Sequence, residues 1–374
     1  MPTFEQDALE HAAPGLAAAP PDAGWPTDQS HRPAPHDAAI LDAAPSIPEA
    51  AASHAAIVAY ARIVLERAGA GRDEAPAPHD ATAPALDLVG ARDLFVQILI
   101  ADALLDIDVG AQHPVIETVV REVVRHRRAA DRARQTSADR YYDLSGDVGE
   151  LAQILLLFAR LSRRDLIAAH CAPPLAVLLA YAEADGVLPT WVLPNNAAPD
   201  AVETVASLVF GLARWDARRF LGMIVAGARW IADRQQPDGS WGSAAGIDPY
   251  HGTWLTLRLL GAVMPNHPAV ARGARFLHTS RRPGRGWGVD GADPLATALA
   301  VLALRASRTA LPPELAGEAR AILAPGAAGW QARPLLRFAR TAAGLPVLVD
   351  HGSSATTALF ALKASTALEP GRSR

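Results

Sequence analysis

Asp147 and Glu150 stand three residues apart, directly ahead of the apolar run Leu151 to Phe158. That spacing sets two carboxylates at the head of a helix, where Asp147 serves as an N-cap and Glu150 as its capping-box partner. His251 and His351 each follow an aspartate, Asp248 and Asp350, at the start of an expected helix. Imidazole and carboxylate are metal ligands when they converge, and caps or solvated groups when they do not. Arg125, Arg127, Arg128, Arg132, Arg134 and Arg140 form one basic cluster. Guanidinium suits phosphate, and it equally suits the wet face of a helix. Cys171 is the single cysteine, which excludes an internal disulfide and any CxxC metal site. No metal set is assigned and no cofactor is expected.

Repeats show what must position these groups. Gly227-Ala228-Arg229-Trp230-Ile231 recurs as Gly273-Ala274-Arg275-Phe276-Leu277. Each copy leads to a Gly/Trp turn, Gly239-Ser240-Trp241-Gly242 and Gly286-Trp287-Gly288, and then to Asp248-Pro249 or Asp293-Pro294. Asp at N-cap and Pro at N1 start a helix. The helices that follow are apolar nearly all round, as buried helices are, whereas those between carry arginine on one face. The unit is therefore an outer amphipathic helix, a turn and an inner buried helix. Inner helices are expected at about 93–105, 147–161, 200–213, 249–263, 293–306 and 353–365. Outer ones are expected at about 52–68, 114–132, 165–184, 217–235, 268–280 and 314–342, the last broken. Hairpins spaced this way close a ring, an all-α αα-toroid of about six hairpins.

Residues 1–50, rich in Ala, Pro, Asp and His, read as a disordered leader, 51–366 as the toroid domain and 367–374 as a tail. The start of the chain carries acids and no apolar core of a secretory signal, and no apolar run is long enough to span a bilayer. The net charge of -4 gives no electrostatic case for nucleic-acid binding. Lysine is almost absent and arginine abundant, the mark of GC-rich coding expected of a bacterial genome.

Between Ala228 and Trp241 the pattern Ala-Arg-Trp-Ile-x-x-x-Gln-x-x-Asp-Gly-x-Trp resembles the QW motif of squalene–hopene cyclases and their class II terpene cyclase relatives. The second copy keeps Phe276, Gly286 and Trp287 and lacks the glutamine. The resemblance extends from about 86 to 365 and implies that Gln235, Trp241 and Trp287 are structural ties between hairpins. It also implies protonation-initiated cyclisation of an isoprenoid or similar hydrophobic chain. In that family the acid is the central Asp of an Asp-x-Asp-Asp motif heading an inner helix. This chain has no Asp-Asp pair, and Asp147-Val148-Gly149-Glu150 stands in the corresponding place with Gly where the acid belongs. Asp147 and Glu150 are the catalytic candidates on that basis. Trp254, Phe210, Tyr250 and Phe360 on inner helices, and Trp191 in a loop near the ring mouth, are the candidates to line a cavity whose aromatic faces stabilise cations.

The expected partners are a hydrophobic small molecule, a second copy or partner subunit covering the open face of a lone ring, and peripherally a membrane surface; the expected location is the cytoplasm. Two other readings share the ring: a non-catalytic subunit that binds a hydrophobic ligand or an enzyme partner, and a prenyltransferase-like subunit. The latter binds zinc through Asp, Cys and His in its family, and no Asp-x-Cys is present here.

Overall fold

Xaa-Pro pairs begin many of the helices. Asp248 Oδ1 accepts the Tyr250 N–H at 2.8 Å, and Asp293 Oδ1 accepts those of Leu295 and Ala296 at 2.8 and 3.2 Å. His113 and His267 do the same through Nδ1, to Val115 and Ala269, both at 3.3 Å. The proline that follows each cap lacks only an N–H that a first turn leaves unused. A computed structural model describes residues 88–106, 112–136, 148–180, 201–242, 248–288, 292–324, 330, 333, 335–342, 345–351 and 354–368, all within the unit Pro45–Arg374.

The inner layer consists of α1 (Leu88–Asp106), α3 (Val148–Arg160), α6 (Val202–Asp216), α8 (Pro249–Val263), α10 (Pro294–Ala306) and α12 (Ser354–Ala367). Each packs on the next, and α12 returns to α1, which closes the ring. Outside them run α2 (Pro114–Thr136), α4 (Arg164–Leu166), α5 (Ala172–Ala180), α7 (Leu221–Asp233), α9 (Pro268–Ser280) and α11 (Pro313–Leu323). A π-turn, Ile167–Cys171, joins α4 to α5. Pro173 and Pro174 offer no N–H to the carbonyls behind them, and the helix widens just before them. Layering follows polarity: α10 is buried at every position from Leu295 to Leu304, whereas α9 leaves Arg272 and Arg275 in solvent.

Two expectations on the last hairpin are corrected. The segment expected as the second part of a broken outer helix is an antiparallel pair, β1 (Leu336–Ala342) and β2 (Leu345–His351), with Leu336 opposite His351. Pro334 prevents a helix from running through from α11, and Leu336-Arg337-Phe338-Ala339-Arg340 alternates with the period of a strand. His351 therefore ends a strand, and the inner helix starts at Ser354. The leader, the outer helix expected at 52–68 and the tail beyond 368 lie outside the described residues.

Tryptophans tie the layers together. The Trp241 indole N–H donates to the Ile231 carbonyl at 2.8 Å, Trp287 to Leu277 at 2.7 Å and Trp330 to Leu323 at 3.1 Å. Each acceptor lies in the last turn of the preceding outer helix, where carbonyls lack a helical partner. The main-chain N–H groups of Trp241 and Trp287 reach threonine hydroxyls on the following inner helix, Thr253 at 3.1 Å and Thr297 at 3.4 Å. Gln235 spans two repeats: its amide donates to Gly239 O and Ala269 O, both at 2.9 Å, and accepts from Arg272 Nε at 2.7 Å. The turn that delivers Trp241 needs Gly239, whose φ of +93° is left-handed and whose Cβ would stand 2.5 Å from Arg272 O.

Trp241 is completely buried. Trp241→Phe should cost about 1–3 kcal/mol, because it leaves the Ile231 carbonyl buried without its donor. Trp241→Ala should cost about 3–5 kcal/mol through the cavity it opens. Urea unfolding followed by circular dichroism measures both.

Candidate functional site

The C-terminal halves of the inner helices carry charge into the ring. Asp102 of α1 is buried and takes three cations, each from a different inner helix: Arg160 of α3, Arg258 of α8 and Lys363 of α12. The Arg258 contact is 2.9 Å. One turn further along α1, Asp106 takes Arg160 at 2.6 Å and Lys363 at 2.8 Å. Burial would raise the Asp102 carboxyl, but the charges of Arg258, Lys363 and Arg160 outweigh it and hold the group well below the usual carboxylate range.

Aromatic rings complete this interior. Trp254 meets Phe360 edge-on at 5.2 Å. The Arg258 guanidinium lies 5.0 Å from the Phe210 ring centroid and 5.5 Å from that of Trp254, and Lys363 Nζ is also 5.5 Å from Trp254. Three of the aromatic candidates, Trp254, Phe210 and Phe360, are thus brought together, with the protein's own cations on the rings of Trp254 and Phe210. Tyr250 packs with its ring centroid 6.0 Å from that of Phe276 of α9. Trp191 lies outside the described residues.

The N-terminal ends of the inner helices are carboxylate-bearing. Burial pushes the Asp248 carboxyl up to about 6; N–H bonds from Tyr250 and His251 oppose the shift and Asp293 adds repulsion. His251, one turn on, is buried, its Nδ1 has no hydrogen-bond partner among the described residues, and burial pulls it down to about 4. His251 and Trp254 have ring centroids 5.9 Å apart. Beyond Asp293, Arg333 Nε stands 3.8 Å away.

Asp147 lies outside the described residues. Glu150 faces the outer layer, 3.4 Å from His126 Nε2 and 3.6 Å from Arg127 Nη1 of α2. Arg127, itself buried, also donates to the His170 carbonyl at 3.3 Å. Glu150 therefore ties α3 to α2. Arg125 pairs with Glu122 at 2.5 Å, and Arg121, Arg125 and Arg128 line a cleft of about 450 Å³ with Arg163 and Leu166. Cys171 is buried, its thiol pushed up to about 12 by burial against the pull of Arg127. Among the described residues no three His, Cys, Asp or Glu side chains converge as a metal site, and no helix is long and apolar enough to cross a membrane.

No family model matches the chain. Solved structures resemble its fold. The ent-copalyl diphosphate synthase from Streptomyces platensis is 20% identical with a TM-score of 0.53, over 83% of this chain and 54% of that one, so this chain spans about half its length. The type II terpene cyclase MstE from Scytonema is 16% identical with a TM-score of 0.51, over 73% of this chain and 88% of that one. A protein from Actinoplanes is 19% identical with a TM-score of 0.50, over 74% and 90%. At these identities the likeness is one of fold: the chain has the αα-toroid of class II terpene cyclases.

Two measurements probe the two ends of the ring. Asp102→Asn should cost about 3–5 kcal/mol by leaving buried cations uncompensated, and Asp102→Asn with Lys363→Met should recover part of the loss; urea unfolding of both reads this. At the other end, Asp248 binds its proton more tightly folded than unfolded, so its contribution to stability is lost as pH rises from about 4 to about 6. His251 has the opposite sign: its contribution is lost as pH falls from the ordinary imidazole range toward about 4. The two slopes oppose each other in the wild type. Asp248→Asn should expose a fall in stability on acidification, and His251→Asn a fall on raising the pH. Each should approach about 1.4 kcal/mol per pH unit in unfolding titrations between pH 4 and 6.

Proposed function

We propose that this ring is a terpene-cyclase-like enzyme that acts on an isoprenoid or similar hydrophobic chain by protonation-initiated cyclisation, with the Asp248 carboxyl as proton donor. The observation that carries the reading is the half-buried Asp248 carboxyl that caps the inner helix α8, one turn from the buried His251, with burial pushing it up to about 6. Cyclisation of this kind needs a carboxylic acid withheld from water. The donor's O–H proton passes to an alkene carbon of the substrate, whose π pair forms the new C–H bond. The carboxylate stays behind and the positive charge moves to the neighbouring carbon. His251, neutral at that pH and one turn away, is the base that accepts a proton when the final cation collapses to an alkene. The fold shared with the synthase and with MstE supports the substrate class; one MstE structure holds geranylgeranyl dihydroxybenzoate as substrate.

Asp147 and Glu150 remain the competing donors, and Glu150's pairing with α2 speaks for Asp248. A second reading, a non-catalytic ring that binds a hydrophobic ligand or a partner subunit, is favoured by one observation: Arg258 and Lys363 already occupy the aromatic faces that a carbocation would need. The prenyltransferase-like reading has no reactive thiolate in Cys171.

Purified protein should be incubated with squalene, oxidosqualene and farnesyl, geranylgeranyl and longer prenyl diphosphates, and the products read by mass spectrometry. The expected result is a product of unchanged mass, or one changed by a water, with turnover reduced at least about a hundredfold in Asp248→Asn and retained in Glu150→Gln. Loss in Asp147→Asn or Glu150→Gln with retention in Asp248→Asn would move the acid to α3. No product with any substrate would favour the binding ring.

A further inference from the structure

Between Leu335 and Ser354 the chain leaves the ring and returns to it. On the near side Trp330 and Leu335 are buried in the core, and Arg333 Nε stands 3.8 Å from Asp293, the cap of α10. On the far side α12 starts at Ser354 and is buried from Thr356 to Ala364. The inner helices run parallel, so both feet stand at the N-terminal mouth, which holds Asp248 and His251. Between the feet β1 and β2, seven residues each, pair from Leu336 with His351 to Ala342 with Leu345.

Among the described elements the two strands pack on each other and on no helix to a comparable extent. They form a two-stranded sheet with two open edges. Such a ribbon is marginally stable by itself in water. The period of two puts Leu336, Phe338, Leu345, Val347 and Val349 on one face, with Ala342, Arg340 and His351. Arg337, Thr341 and Asp350 fall on the other, beside Ala339, Pro346 and Leu348. One face is thus largely apolar and needs a cover. The ribbon's reach fits one close at hand. Seven residues of strand extend about 23 Å. Packed helices stand about 8–10 Å apart, and α10 is the only inner helix between α12 and α8 on that side of the ring. A ribbon footed on α12 is therefore long enough to reach Asp248 at the head of α8.

We propose that the β1–β2 ribbon is the lid of the N-terminal mouth, and that it closes with its apolar face on a hydrophobic chain held there. The proposal rests on the reading of this mouth as the seat of such a chain, and not on Asp248 as its acid. Arg333 at Asp293 and the buried start of α12 hold the two feet, so the ribbon moves as one arm. Closure gives the apolar face its cover and keeps water from the reacting chain.

Hydrogen exchange of the full chain, read by mass spectrometry with and without saturating geranylgeranyl diphosphate, tests it. The amides of 336–351 should exchange fast in the free protein, and the ligand should slow them at least about tenfold. The slowing should persist in Asp248→Asn, so that failure of the acid and failure of the lid are read separately. It should also persist in Leu348→Asp, and vanish in Val347→Asp, whose charge stands on the apolar face. Exchange that the ligand leaves unchanged, or slowing lost equally in Leu348→Asp and Val347→Asp, overturns the proposal. So does protection that rises with protein concentration without ligand, which would assign the apolar face to a second copy of the chain.

Discussion

One carboxylate holds the ring's interior to a single arrangement. Asp102 collects cations from three other inner helices, α3, α8 and α12. Its partners are far away in sequence, at separations of 58, 156 and 261 residues. Apolar packing between small residues such as those of α10 is non-directional and tolerates sliding of one helix on another. A buried ion cluster does not, because any slip leaves a charge desolvated and unpaired at a cost of several kcal/mol. Register around the ring is thus set from inside by Asp102 and from outside by the tryptophan and Gln235 ties.

These two devices differ in how they show in the sequence. The outer ties are local: Gln235, Gly239, Trp241 and Asp248-Pro249 fall within one short stretch that repeats, and five of the described inner helices begin within about two residues of where caps and apolar patterning put them. The ion cluster is assembled from single residues on separate helices, with no spacing to read. Its one signal was Lys363, the chain's only lysine, set in the middle of an apolar helix. The partners of Glu150 were not legible for a related reason. Position at a helix head fixes the height of a side chain in the ring, while its azimuth depends on Arg127 and His126 of another helix. The contact of Tyr250 with Phe276 was hidden likewise, and the β1–β2 pair was hidden by extending a helical repeat over a segment whose own alternation is that of a strand.

The inner helices run parallel, so their dipoles add, and the two mouths of the ring differ in what they stabilise. At the C-terminal mouth the partial negative charge of the helix ends adds to that of Asp102 and Asp106 and favours the cations Arg160, Arg258 and Lys363. At the N-terminal mouth the dipoles favour anions, yet Asp248 resists ionisation. Burial wins there over both the dipole and two N–H bonds. A carboxyl drawn upward to about 6 against such opposition points to a poorly solvated environment. His251 supports this, since the same dryness keeps it neutral. The pair carries the same number of protons whether written as acid and imidazole or as carboxylate and imidazolium, so proton transfer between them changes no net charge in the interior.

The interior cations decide where a reactive carbocation can sit. Arg258 and Lys363 lie over Trp254, and Arg258 over Phe210, in the place a cationic intermediate would take. A cation–π contact is worth about 0.5–2 kcal/mol, whereas separating Arg258 or Lys363 from Asp102 costs about 3–5 kcal/mol. A substrate therefore does not displace these side chains from the deep interior merely to reach the aromatic faces. On the cyclase reading proposed above, chemistry at Asp248 belongs to the N-terminal mouth, where His251 stands 5.9 Å from Trp254. On the same reading, the cations of the deep cluster would repel positive charge in a substrate from the centre of the ring and toward the Asp248 carboxylate.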